Sequence, residues 1–264
     1  MEPKKLDAVI YFLAIIILFS TISMASAAKF DVIYTTTGGD ISKNKLVYNN
    51  IPKSTITNQV ISTAKKGTPM VTFGNGNSPK VMIVAGVHGN ELPATVAAVK
   101  LINYLNSRSI KGTVCVVPFV VPSSTAKSSR FWKGLNLNTV ANKAGTPTNQ
   151  IVKRSKQIKV KALADFHSTQ PGGYPGKNSI LCTKSPTYES YRIASYISKK
   201  TGSSLIYENK AGVSYPGAVE DVSNLAKIPA VTCEVKSAHG TIASGSVTRS
   251  YNQMLWFLKY EGVI

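Results

Sequence analysis

In the stretch VAGVHGNELPA, residues 84–94, Glu91 follows His88 by three positions, and it is the only carboxylate between Asp40 and Asp165 in a segment rich in lysine and arginine. ADFHS places His167 two residues after Asp165, and PAVTCEV carries Glu234 near its end. Imidazole nitrogen and carboxylate oxygen are ligands that zinc accepts, and a catalytic zinc takes three protein ligands while leaving a position for water. His88, Glu91 and His167 supply such a set, for one zinc per chain. Asp165 alternates with His167 along a strand, so both point to one side and the aspartate can hold the imidazole from behind. Glu234 is then the general base, taking a proton from water and returning it as an acid. Each residue also has a bland reading: a helix-start acid beside a loop histidine for Glu91 and His88, a half-buried structural histidine for His167, and a strand-end acid paired with Lys236 or Lys210 for Glu234. The third histidine, His239 in SAHG, reads as a loop histidine.

For these groups to meet, the elements carrying them must end on one edge of a sheet. KVMIVAG is a buried-strand run, LPATVAAVKLINYLN has apolar residues at helical spacing, and TVCVVPFVV is strand again. Strand, helix, strand implies a parallel crossover. VKALADF, SILC, SLIY and PAVTCEV read as further strands, separated by helices around TYESYRIASYISKKT and VEDVSNLA and closed by the helix SVTRSYNQMLWFLKY. The fold class is α/β, a three-layer α/β/α arrangement with a mixed sheet and helices on both faces. In such sheets, sites gather outside the carboxyl ends of the strands. His88 with Glu91, His167 and Glu234 all fall there. Gly86 and Gly89 permit the sharp turn after the first strand, and Pro93 marks the helix that follows. No internal repeat is present. Residues 123–148, basic and rich in small residues, read as a long loop beside the bound molecule.

The domain reading has three parts. Residues 1–28 contain Lys4 and Lys5, an apolar run from Ala8 to Phe19 and the small residues of SMASAAK, the pattern of a signal peptide or, uncleaved, of an N-terminal membrane anchor. Residues 29–79 are a polar, lysine-rich lead-in packed on the main domain, and residues 80–264 form the catalytic domain. The chain carries 31 Lys plus Arg against 12 Asp plus Glu, a net charge of +19, which removal of the N-terminal segment leaves unchanged. A surface this positive favours acidic partners, whether acidic substrates or anionic wall and membrane surfaces. No nucleic-acid-binding motif accompanies the charge, so no specific nucleic acid is expected. The three cysteines, Cys115, Cys182 and Cys233, lie in apolar runs without C-x-x-C spacing and are read as buried and unpaired.

VAGVHGNELPA, ADFHS and VTCEV resemble the metal-ligand and general-base motifs of the zinc carboxypeptidase clan, most closely its succinylglutamate desuccinylase/aspartoacylase branch with its G-x-H-G-N-E and D-L-H hallmarks. The resemblance covers roughly residues 80–234. It implies a zinc carboxypeptidase-like fold and hydrolysis of an amide bond by a metal-activated water. Between the ligand motifs that branch has an arginine and then a D-L-N-R element; here RFWKGLNLNT stands in that place. The resemblance makes Arg130 the oxyanion-stabilising arginine and Asn138 the substrate-binding asparagine, with Thr139 in place of the second arginine. SYPGA is similar to the segment with a substrate-contacting tyrosine, which makes Tyr215 that residue. A hydroxyl at 139 cannot grip a carboxylate as an arginine fork does. Either another base, such as Arg192, Lys236 or Arg249, supplies that charge or the substrate presents no terminal carboxylate there.

The expectation is a zinc metallohydrolase, extracellular or at the cell surface, that cleaves amide or peptide bonds in acidic or wall-derived peptides. The alternative is a non-catalytic wall- or anion-binding protein on the same fold, which needs no zinc.

Overall fold

The computed structural model describes residues 27–264. The expected signal or anchor segment therefore lies, apart from Ala27 and Ala28, outside the described residues. Eight strands form one sheet in the order β1-β2-β4-β3-β5-β8-β6-β7. They are β1 (Lys29–Val32), β2 (Pro69–Gly74), β3 (Lys80–Ala85), β4 (Thr113–Val117), β5 (Ala162–Thr169), β6 (Ser179–Thr183), β7 (Ser204–Glu208) and β8 (Ala230–Lys236). The four central strands β4, β3, β5 and β8 run parallel, while β1 and β2 on one flank and the β6–β8 pairing on the other are antiparallel. The sheet is mixed, as the sequence implies.

Among the described residues eight α-helices accompany the sheet: α1 (Lys45–Asn50), α2 (Thr55–Lys66), α3 (Leu92–Leu105), α4 (Pro122–Ala126), α5 (Pro147–Gln157), α6 (Tyr188–Thr201), α7 (Val219–Leu225) and α8 (Ser246–Tyr260). The alternation of side chains along the central strands sorts them into two cores. Val81, Ile83 and Ala85 of β3, Ala164 and Phe166 of β5, and Val231 and Cys233 of β8 face the core shared with α2, α3, α6 and α8. Met82 and Val84 of β3, Leu163 of β5 and Ala230 of β8 face the other, with Ile151 and Val152 of α5 and Val219 of α7. Burial on both faces explains why these strands read as continuous apolar runs. The three cysteines are buried and free.

Residues of the 29–79 segment join the same sheet: β1 and β2 extend its edge, and Val60, Ile61 and Ala64 of α2 enter the first core. The segment 123–148 is more ordered than a loop reading suggests. It includes most of α4 and a 3-10 turn at Leu137–Thr139, and it buries Trp132, Leu137, Val140 and Ala141. Those apolar residues are irregularly spaced and carry no helical or strand period, but they suffice to pin the chain against the second core.

Candidate active site

The parallel run β3-β5-β8 brings three carboxyl ends to one edge. In register, Ala85 of β3 lies beside Phe166 of β5, and His167 lies directly beside Glu234 of β8. Odd-numbered residues of β5 and even-numbered residues of β8 share a face, so Asp165, His167, Thr232 and Glu234 all point to one side. After β3 the chain must reverse into α3 within a few residues. Gly86 makes that turn with φ +76°, and Gly89 passes so close to α4 that an added Cβ would sit 2.2 Å from the Ser124 carbonyl carbon. Glu91 occupies the N-cap position of α3 but makes no capping hydrogen bond with its side chain. Its carboxylate turns inward instead.

That carboxylate is the hub of the site. Oε1 accepts from His88 Nδ1 at 2.8 Å and from Arg130 Nη1 at 2.9 Å, and Oε2 accepts from His167 Nδ1 at 2.8 Å and from the Ser168 backbone amide at 3.1 Å. All three of His88, Glu91 and His167 are buried. Burial alone would raise the Glu91 pKa, yet the two imidazoles facing it hold it well below the ordinary carboxylate range. Burial likewise opposes charge on His167, but Asp165 and Glu91 on either side of the ring raise its pKa well above the usual histidine value. Asp165 takes the outer nitrogen of that ring, Nε2 to Oδ2 at 2.9 Å. His88 is anchored the same way by Asn136, whose Oδ1 lies 2.8 Å from Nε2. Both inner Nδ1 atoms thus face the same point.

The donor set fits zinc: two imidazoles and one carboxylate, with ligand atoms all within 4.8 Å of one another and the far nitrogen of each ring held by an oxygen. Two buried oxygens nearby, Oδ1 of Asp165 and Oε2 of Glu234, have no hydrogen-bond partner. Glu234 is drawn into no ion pair with Lys236 or Lys210; burial pushes its pKa up to about 8. Its carboxyl opens on a cavity of about 420 Å³ that also receives His88, Glu91, His167, Arg130, Asn138 and Tyr215. The proposed ligands, base and substrate-contacting residues therefore line one cavity, with Asp165 behind His167 and outside it.

Thr139 does not line it. Its hydroxyl donates to the Asn136 carbonyl oxygen at 2.9 Å, and its backbone packs against Gly217, where a Cβ would come within 2.2 Å. The three bases that could have replaced an arginine there are elsewhere. Arg192 pairs with Glu189, Arg249 donates to the Thr201 carbonyl oxygen, and Lys236 is exposed outside the cavity. Two contributors escape the sequence reading. Asn136 stands at the first position of the element resembling D-L-N-R, and that alignment is the one signal that could have flagged it. His239 remains a loop residue, but a bond from Gly240 N to Asn90 O, 2.7 Å, ties its loop to the Glu91 turn and leaves its Nε2 3.6 Å from Glu91 Oε1. Over the cavity, Tyr215 stacks on Tyr174 with centroids 6.3 Å apart and planes at 26°. Burial and Tyr174 push the Tyr215 hydroxyl up to about 12.

The chain spans 63% of the length of a succinylglutamate desuccinylase from Silicibacter sp. TM1040 that it resembles over 76% of its own length, at 17% identity and a TM-score of 0.60. An aspartoacylase family protein from Mesorhizobium loti is similar at 18% identity and a TM-score of 0.60, covering 90% of this chain and 68% of that one. The cell shape determinant protein Csd4 from Helicobacter pylori is similar at 15% identity and a TM-score of 0.57, over 74% of this chain and 55% of that one. Likeness at such identities establishes the shared fold. No curated protein sequence matches the chain. The sequence itself matches the succinylglutamate desuccinylase/aspartoacylase catalytic domain over residues 77–242, a range that contains every ligand candidate, and the chain belongs to that hydrolase family.

Proposed function

We propose that the protein is an exported zinc-dependent hydrolase that cleaves amide bonds in peptides of the cell-wall type. The observation that carries the chemistry is the convergence of the His88, Glu91 and His167 donors with the Glu234 carboxyl on one cavity wall. His88, Glu91 and His167 would hold the zinc, which when bound would supply Lewis acidity toward a carbonyl and a water of lowered pKa. Glu234 takes the proton of the attacking water and passes it to the departing nitrogen, so that a C–O bond replaces the C–N bond and the products are an acid and an amine. Arg130, already at the rim of the centre, donates to the developing oxyanion, a type of interaction worth about 3 kcal/mol of barrier. Asn138 and Tyr215 hold the substrate across the cavity.

Export rests on Lys4 and Lys5 before an apolar run that ends in small residues, and the anionic polymers found outside cells suit a chain of charge +19. Among the described residues no helix is long and apolar enough to cross a membrane. The deciding experiment incubates the purified mature protein, its metal content measured, with isolated wall peptides and identifies products by mass. Zinc near one per chain with a mass change of one water per cut is the expected result. A zinc-loaded protein that cuts no wall peptide would sink the substrate assignment, and a protein that takes up no zinc would sink the chemistry.

A further inference from the structure

Half of the Asp and Glu side chains among the described residues gather in one place, while Asp31, Asp40 and Glu189 stay at the surface. Among the described residues, Glu91, Glu220 and Glu234 line the cavity, and Glu220, Glu208 and Asp221 line a small side chamber that opens beside it under Tyr174 and Tyr215. Among the described residues Arg130 is the one lysine or arginine of the main cavity, and its Nη1 already pairs with Glu91. Glu91 and Glu234 have roles in the proposed chemistry. Glu220 has none.

Glu220 sits on α7 and is only 5% exposed, yet it borders both the cavity and the chamber. It makes no ion pair among the described residues. Its Oε1 accepts a hydrogen bond from Asn224 Nδ2, and Asn224 is itself fixed by the backbone of Ala230 and the hydroxyl of Thr187. A glutamine would satisfy that hydrogen bond equally well and bury no charge. What a carboxyl adds is the capacity to ionise, and an ionised carboxylate this deep is costly unless a cation meets it. Among the described residues no lysine or arginine pairs with Glu220, and Lys210, on the wall of the same chamber, makes no ion pair either, so the open oxygen is left to a group that enters through the cavity. The stacked faces of Tyr174 and Tyr215 at the junction are themselves favourable surfaces for a cation. Because Asn224 occupies Oε1, one oxygen is left, which suits the point charge of an ammonium better than the two-pronged fork of a guanidinium.

We propose that Glu220 is a specificity-determining residue that receives a primary ammonium group of the substrate, so that the enzyme selects peptides with an amine-bearing side chain next to the cleaved amide. The inference rests on the cavity being the substrate pocket of the proposed hydrolase.

The test compares four probes by calorimetry on the zinc-loaded mature protein: N-acetyl-lysine methylamide, the same compound acetylated on its side-chain amine, the same compound succinylated there, and N-acetyl-arginine methylamide. The free amine should bind at least tenfold more tightly than the acetylated probe, with the arginine probe between them and the succinylated probe weakest. In Glu220→Gln the free and acetylated probes should bind alike, with zinc content unchanged. Equal binding of those two probes to the unaltered protein, which needs no variant, overturns the inference. So does a preference for the acetylated probe, which would mark Glu220 as a neutral hydrogen-bond donor, or an amine preference that survives in Glu220→Gln. Hydrolysis of wall peptides without amine preference overturns this inference alone. Amine preference in a protein that hydrolyses nothing supports it and overturns the proposed reaction instead.

Discussion

The exterior of the molecule is rich in bases and its cavity in carboxyl groups. Thirty-one lysines and arginines against twelve acids give the chain its +19, but among the described residues only Arg130 reaches the cavity and only Lys210 its side chamber, while five carboxyl groups gather along the two. Exposed charges are screened over about 8 Å at physiological ionic strength, so the outer lysines set the long-range field while the cavity is governed by the groups on its own wall, where the dielectric is low. The difference teaches that net charge describes what approaches a protein and not what it binds. On the proposed reading, the positive shell concentrates an anionic polymer and the carboxyl-lined pocket within it selects a different group of the same molecule.

The severest way to break this comparison is to remove the carboxyl that does chemistry and leave the one that selects. Glu234→Gln keeps shape and hydrogen-bonding capacity but cannot act as a base, so turnover should fall by two to four orders of magnitude while zinc content and melting temperature stay near those of the unaltered protein. Elemental analysis and steady-state rates read the two effects separately. Loss of zinc with activity would make Glu234 a ligand, and near-normal turnover would make it a structural acid. Glu91→Gln should behave differently, because it weakens four hydrogen bonds and a ligand at once. It should lose metal first and activity as a consequence.

A smaller effect, on metal affinity, sharpens what belongs to the cavity. Asn136 touches no metal position, yet it holds the outer nitrogen of His88. Asn136→Ala should weaken zinc binding by about 10- to 100-fold, the range seen when an outer hydrogen-bond partner is removed from a ligand histidine. Competition with a chelator measures it. Unchanged affinity would mean that burial alone orients the His88 ring.

How much of this was legible in the sequence depends on which element carries the residue. β3, β5 and β8 are buried on both faces, so any polar side chain at their ends interrupts an apolar run and stands out; His88, His167 and Glu234 were visible for that reason. Asp165 follows from the two-residue period of a strand. Asn136 and His239 reach the site through irregular chain, held by single hydrogen bonds from residues far away in sequence, and no period announces them. Glu220 was hidden differently. With Asp221 it sits in the first turn of α7, where acids favourably meet the helix dipole, so it reads as an ordinary solvated helix start. Only the fold, by laying α7 under the cavity, turns it inward. The layered α/β architecture was legible in the alternation of strand and helix, whereas the order β4-β3-β5-β8 was not, since parallel neighbours are set by packing between distant segments.

The exterior half of the comparison is tested with salt. If the positive shell holds an anionic polymer, retention on isolated walls should weaken steeply as ionic strength rises from 0.01 to 1 M, since the screening length falls over that range from about 30 to about 3 Å. Amine selectivity within the cavity should change far less over the same range, because that pair forms out of water. Retention that ignores salt would remove the electrostatic role of the shell.

The smallest effect is on stability, and it separates a carboxyl kept for binding from one kept for folding. Burial, and then the neighbouring Asp221, raise the Glu220 pKa well above the usual glutamate value. In the unfolded chain the same group titrates near 4.3. Between those two values the folded protein holds a proton that the unfolded chain has released, so stability from this group is fully present below the unfolded pKa and is lost as pH rises through the folded one. Glu220→Gln removes the ionisable group and keeps an acceptor for Asn224. The variant should therefore match the unaltered protein in thermal midpoint at pH 4 and exceed it at pH 8, with the gap opening as pH rises. A glutamate retained for stability would give the reverse, a variant weaker at pH 8. If Glu220→Gln gains stability at high pH and loses amine selectivity in the same preparation, the carboxyl is kept at a cost to the fold for the sake of what enters the cavity.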